Sequence, residues 1–331
     1  MKKKTKTSQE EKPFSYKQSI IISMVLVAAI LISFLVFNLL QVQTVKFSLN
    51  AAIIDQLGMD FPNAEFRTNA TSLLENAGFS VSYYPSVDVK VDFYKRLAEY
   101  NYGLIILRTH SAIREGESIV DFFTSEEFDY HKYPSDKING FVTGGYYQWR
   151  PDKYYFAVSP KLIENLKGQF PKSIVIAMGC NSLNQTCKGM AEAFIKKGAK
   201  AYIGWTGLVD SSHTDNETLK LLKRLLTENE TITTAVSAVS QDWHFYPPSS
   251  MAFHPQSVAD LRISDLIEEA KTASTVQLLS DNVGLVFLLF CLQLMCCGYW
   301  LKKSWFFAES TTKRFIVFRN DCVKLTPQYI A

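Results

Sequence analysis

The chain has 331 residues, 47% hydrophobic and 20% charged, enough apolar side chains for one large domain or two ordinary ones. That balance excludes a disordered or acidic-tail protein, and 15 glycines with 11 prolines exclude a collagen-like or low-complexity chain. A formal charge of only +3 gives no support to a nucleic-acid partner, although the charge is unevenly spread.

Residues 1–18 form a basic tail. Residues 19–40 then carry no charged side chain and are long enough to cross a hydrocarbon core of about 30 Å. They read as an uncleaved signal anchor, with a cleaved signal as the alternative. Residues 283–301 are a second uncharged run, with Tyr299 and Trp300 near one end and Lys302–Lys303 just after it. A buried core helix is its bland alternative. Both outer segments, 1–18 and 302–331, are net basic, and the stretch between the spans is net acidic. The expected topology is a two-span plasma-membrane protein with both termini cytoplasmic and an extracytoplasmic domain over 41–281. Asn69, Asn184, Asn216 and Asn229 each begin an Asn-x-Thr sequon, which suits a glycoprotein on that side. Six cysteines do not make a disulfide scaffold, since only Cys180 and Cys187 fall between the spans.

Within 41–281, short apolar runs alternate with helical spacing. Strands are predicted at 51–57, 79–84, 104–109, 173–178 and 200–205. Helices are predicted at 63–77, 91–99, 159–167, 188–197, 214–226 and 232–241. A long stretch at 111–157, rich in Tyr, Gly and Asp, reads as irregular. Strand–helix alternation implies an α/β fold, a three-layer αβα parallel sheet flanked by two transmembrane helices. In such sheets, chemistry gathers beyond the carboxyl ends of the strands.

His110 follows the third strand and Cys180 the fourth. Neighbouring strands lie about 4.8 Å apart, so the two side chains can approach each other. An imidazole that accepts a thiol proton gives a nucleophilic thiolate. Backbone N–H groups at Ser111 and Cys180 are the candidate oxyanion donors, and Gly179 permits a tight turn. The alternatives are a Cys180–Cys187 disulfide, or an inert loop histidine and core cysteine. A glycan on Asn184 would obstruct such a site.

Histidine after the third strand and cysteine after the fourth resemble the caspase-like fold of clan CD cysteine peptidases. That group includes caspases, legumain, gingipains, clostripain, separase and CHAT domains. The likeness is greatest to CHAT and gingipain-type sequences, because Ala193-Phe194-Ile195-Lys196-Lys197-Gly198-Ala199 closes a helix before a strand that ends at Trp205. It covers about residues 50–240. The resemblance implies that His110 is the general base, that Cys180 is the nucleophile and that the substrate is a peptide or protein. Two positions depart from the family pattern: Ser111 stands where His-Gly is usual, and Gly179 where Ala-Cys is common.

Trp205, Asp210, His213 and Asp215 follow the fifth strand and are candidate substrate-binding residues, or alternatively a loop and helix cap. A metal site on His110, His213 and Asp215 has no supporting spacing, so no metal or other cofactor is expected. Tyr146, Tyr147, Trp149, Tyr154, Tyr155 and Phe156 are aromatic clusters suited to a lid or to sheet packing. No nucleotide-binding motif is present. The main expectation is a membrane-anchored cysteine peptidase. The rival is an inactive membrane-bound sensor or binding module on the same fold, with an unknown partner for its cytoplasmic tails.

Overall fold

Residues 46–272 and scattered positions between 17 and 32 are described by a computed structural model. The chain divides into two units, Met1–Val45 and Lys46–Ala331. In the first, the described positions are helical.

The second unit is built on a six-stranded sheet. Its strands are β1 (Asn50–Asp55), β2 (Ser80–Pro85), β3 (Leu104–Arg108), β8 (Ile174–Ala177), β9 (Ala201–Trp205) and β10 (Met251–His254), in the order β10-β9-β8-β3-β1-β2. The first five run parallel and β10 runs antiparallel to β9. A strand buried on both faces needs apolar residues at every position, because successive side chains point to opposite sides. The sequence supplies them. Ala51, Ile53, Leu104, Ile106, Ile174 and Ile176 enter one core, and Ala52, Ile54, Ile105, Leu107, Val175 and Ala177 enter the other.

Helices cover both faces. α1 (Ala64–Asn76), α6 (Ser211–Leu226), α7 (Ile232–Ser237) and residues 263–272 bury apolar side chains on one side. α2 (Val91–Lys95), α4 (Pro160–Glu164) and α5 (Gly189–Lys196) do so on the other. Asn63 Oδ1 caps α1 by accepting the N–H of Phe66, and Asp210 Oδ1 caps α6 by accepting those of Ser212 and His213.

Between β3 and β8 the chain forms a second sheet, entirely antiparallel, with α3 (Pro134–Ile138) as a short insert. Its strands β4 (Ser111–Ile113), β5 (Val120–Glu127), β6 (Val142–Tyr147) and β7 (Arg150–Val158) lie in the order β4-β5-β7-β6. The expectation of an irregular stretch at 111–157 is therefore wrong. Gly144 and Gly145 weaken the strand signal of β6, since glycine favours turns and loops. Here they leave room for aromatic rings: a Cβ at Gly145 would lie 2.7 Å from the ring of Phe123, and one at Gly144 3.0 Å from that of Phe128.

The expected parallel three-layer architecture is corrected in two respects. The main sheet is mixed, because β10 closes its edge antiparallel, and the second sheet was not foreseen. The membrane reading is corrected as well. Among the described residues no helix is long and apolar enough to cross a membrane. Much of 19–40, and all of 283–301 and the tail 302–331, lie outside the described residues. The two-span plasma-membrane topology, its extracytoplasmic domain and the glycoprotein expectation built on it have no support. Asn184 adds a local reason: its amide Nδ2 donates to the carbonyl of Thr206 and to Asn181 Oδ1, so it is engaged within the fold.

Candidate active site

β3 and β8 pair in parallel register, with Leu107 opposite Ala177. The residues just beyond their ends are therefore neighbours across one rim of the sheet. Thr109 and His110 leave β3, while Met178, Gly179 and Cys180 leave β8.

Gln56, fully buried beyond β1, fixes the β3 end. Its Oε1 accepts the backbone N–H of His110 at 2.9 Å, and its Nε2 donates to Tyr147 Oη at 2.9 Å. Thr109 Oγ1 donates to the carbonyl of Phe123 at 2.9 Å, and the carbonyl of His110 accepts the N–H of Phe123. The small sheet is thus bonded to the point where His110 projects. The imidazole lies among three aromatic rings, with centroids 4.6 Å from Tyr147, 5.3 Å from Trp149 and 5.9 Å from Phe61.

His110 Nε2 is buried without a hydrogen bond, and its nearest charged neighbour is Asp60 Oδ2 at 3.7 Å. Asp60 forms an ion pair with Arg150 Nη2 at 2.8 Å, although neither of its buried carboxylate oxygens has a hydrogen bond. Burial, helped by the nearby Arg108 charge, pushes the His110 pKa down to about 4. At neutral pH this imidazole is uncharged and has an available lone pair.

At the β8 end, Asn181 adopts a left-handed conformation (φ 56°) and donates its N–H to the carbonyl of Gly207. Cys180 Sγ lies 3.5 Å from the N–H nitrogen of Val209 and 3.6 Å from the carbonyl oxygen of the same residue. Burial pushes the thiol pKa up, and the N–H groups of Val209 and Cys180 itself do not offset it. Cys180 and Cys187 are both free thiols, which removes the disulfide alternative. No hydrogen bond joins the imidazole to the thiol.

Both side chains line one cleft of about 650 Å³, together with Phe61, Tyr147, Trp149, Val209, Asp210 and Phe245. Ser111 and Gly179 line it too. Among the described residues Asp210 and Glu115 are its acidic lining groups, and no lysine or arginine lines it.

The substrate-binding candidates after β9 separate. Asp210 reaches the cleft while capping α6. Trp205 does not: it is fully buried, with Nε1 donating to Thr214 Oγ1 at 2.9 Å. Asp215 is also buried and holds Arg108 with two bonds of 2.7 Å. Arg108 reaches Asp55 Oδ1 at 2.6 Å as well. A buried guanidinium tolerates desolvation of several kcal/mol only when it is paired this fully. His213 turns away from Asp215, and its Nε2 lies 3.1 Å from the carbonyl of Ser240. A site joining His110, His213 and Asp215 does not form.

Asp60, Gln56 and Phe61 were missed from the sequence. They follow the carboxyl end of β1, so the rule that singled out His110 and Cys180 applies to them equally. Trp149 and Tyr147, which their sequence context suits to a lid or to sheet packing, both line the cleft.

No protein-family model matches the chain, and no curated protein matches it. These comparisons lend no support to a hydrolase or peptidase assignment or to a caspase-like family.

Proposed function

We propose that this cleft is the active site of a cysteine peptidase resembling the caspase-like group, with Cys180 as nucleophile and His110 as general base. One observation carries the reading: the imidazole and the thiol leave the ends of two paired parallel strands and line the same aromatic cleft. Both groups rest uncharged, so attack starts from a neutral pair. The Sγ proton passes to His110 as sulfur bonds to the scissile carbonyl carbon, and the carbonyl electrons move onto oxygen. Collapse of that intermediate expels the amine, which takes the proton from His110. Water, with His110 again as base, then releases the acid and restores the thiol.

The two departures from the family pattern fit each other. A Cβ at Gly179 would lie 2.3 Å from Ser111 Oγ, so the serine side chain fills the space that an alanine before the cysteine would need. The lining chemistry favours a substrate with an apolar or basic side chain and disfavours an acidic one, because the cleft offers aromatic rings and carboxylates but no cation.

The test is labelling by peptidyl electrophiles carrying an aromatic, a basic or an acidic residue at the reacting position. Cys180 is expected to be modified, with loss of labelling in Cys180→Ala and strong slowing in His110→Ala. Labelling that is unchanged in Cys180→Ala overturns the proposal. A second reading is a non-catalytic binding cleft. It is favoured by the polar contacts of the thiol, which go to Val209 rather than to His110. Tight peptide binding without turnover or labelling supports that reading.

A further inference from the structure

His213, Asp242 and His244 converge beside Asp210, and none of them lines the cleft. One ring nitrogen of each histidine and one Asp242 oxygen all lie within 4.8 Å of one another. Asp242 is fully buried, whereas the His244 side chain is 61% exposed, so the cluster has an anchored carboxylate and an open side. Asp242 Oδ1 lies 2.6 Å from His244 Nδ1 and accepts the His244 N–H at 2.8 Å. Its other oxygen accepts the N–H of Asp210 at 2.6 Å. Burial works against the Asp242 charge, but these N–H groups and His244 outweigh it and keep the carboxyl pKa low. His213, in the first turn of α6, is held by the Ser240 carbonyl, and Glu217 one turn later accepts the Ser240 N–H at 2.8 Å. Two contacts from one helix face thus fix the loop that carries Asp242 and His244.

We propose that His213, Asp242 and His244 bind one divalent transition-metal ion of the zinc class next to Asp210. Two imidazoles and one carboxylate suit a borderline cation, whereas calcium and magnesium call for an all-oxygen shell. Metal–donor bonds of about 2.1 Å in a tetrahedral shell put neighbouring donors roughly 3.4 Å apart, so separations near the 4.8 Å limit must close while the 2.6 Å contact between His244 Nδ1 and Asp242 Oδ1 opens to admit the ion. The exposed His244 ring can make that movement. The ion replaces the proton between His244 Nδ1 and Asp242, which leaves to solvent, and water completes the coordination on the open side. Occupancy pins the 240–244 loop to the start of α6 and, through Asp242 and Asp210, braces the wall next to Val209 and Cys180. This site does not depend on the peptidase reading, because none of its donors is in the proposed dyad.

The experiment is titration of the full chain with Co²⁺ and Zn²⁺, followed by calorimetry and the visible cobalt spectrum. It is run in a Cys180→Ala background so that the thiol is not a competing ligand. The expected result is one ion per chain, a weakening of about tenfold or more in His213→Ala and in His244→Ala, and no displacement by millimolar Mg²⁺ or Ca²⁺. His244→Ala removes an exposed ring and is expected to stay folded, which keeps the test decisive if His213→Ala does not. Absence of saturable binding, or binding unchanged in His244→Ala, overturns the proposal.

Discussion

Ser111 Oγ donates a 2.6 Å hydrogen bond to the carbonyl oxygen of Cys180, so the residue after one candidate catalytic side chain is tied to the backbone of the other. The bond crosses the rim between β3 and β8 and exists only because position 179 has no side chain. A Cβ there would lie 2.3 Å from Ser111 Oγ and 2.4 Å from the carbonyl oxygen of Thr109.

Gly179→Ala is therefore expected to destabilise the fold by about 1–3 kcal/mol through overpacking. Ser111→Gly in the same chain relieves the side-chain clash but not the one with the Thr109 carbonyl, so the rescue is partial. Urea denaturation of the two single variants and the double variant measures the coupling. Simple additivity contradicts the account.

His110 makes stability depend on pH. Its native pKa of about 4 lies below the ordinary value of 6.5, so between those limits the unfolded chain binds the proton more readily. Its contribution is complete above pH 6.5 and is lost as pH falls through that window toward 4. The loss amounts to about 3 kcal/mol at most. His110→Gln should flatten this part of the stability profile; an identical profile in the variant would show that another group is responsible.

Because burial raises its pKa, the Cys180 thiol should react slowly with iodoacetamide at pH 7, with a rate still climbing at pH 9.0, its ordinary pKa. Site-resolved mass spectrometry distinguishes it from the more buried Cys187. A rate that levels off below pH 8 indicates an acidified thiolate and a different resting state. A peptidyl electrophile held in the cleft should outpace iodoacetamide, since it presents its carbon next to both sulfur and base.

Asp215→Asn is expected to destabilise the fold by about 3–5 kcal/mol while leaving the cleft lining unchanged. It removes the negative charge and one of the two oxygens that accept from Arg108, putting an NH2 donor in its place, and leaves the buried guanidinium with Asp55 as its one charged partner beside the Phe61 carbonyl. Chemical denaturation checks the magnitude. A change under 1 kcal/mol shows that Asp55 alone can hold the charge.

The sequence by itself determined where the five parallel strands lie, and the unbroken apolar run of β3 marks it as buried on both faces, whereas the edge strand β2 is part-exposed. Alternating side chains at positions such as Ile53 and Ile54 leave no polar face. It also placed His110 and Cys180 just beyond strand ends, because the residues that break an apolar run are local signals. Tertiary structure alone decided which groups those residues meet. Asp215 sits next to His213 in sequence spacing yet pairs with Arg108, while His213 faces a loop carrying Asp242 and His244. Asp60 approaches His110 only because β1 and β3 are adjacent in the sheet. The second sheet was hidden for a related reason. Gly144 and Gly145 have little strand propensity of their own, and they are accommodated by the rings of Phe128 and Phe123, which fold over them from a distant strand and the loop after it. Local pattern sets which segments are buried; the partner of a charge, or of a gap left by glycine, is set by which distant segments the closed fold brings together.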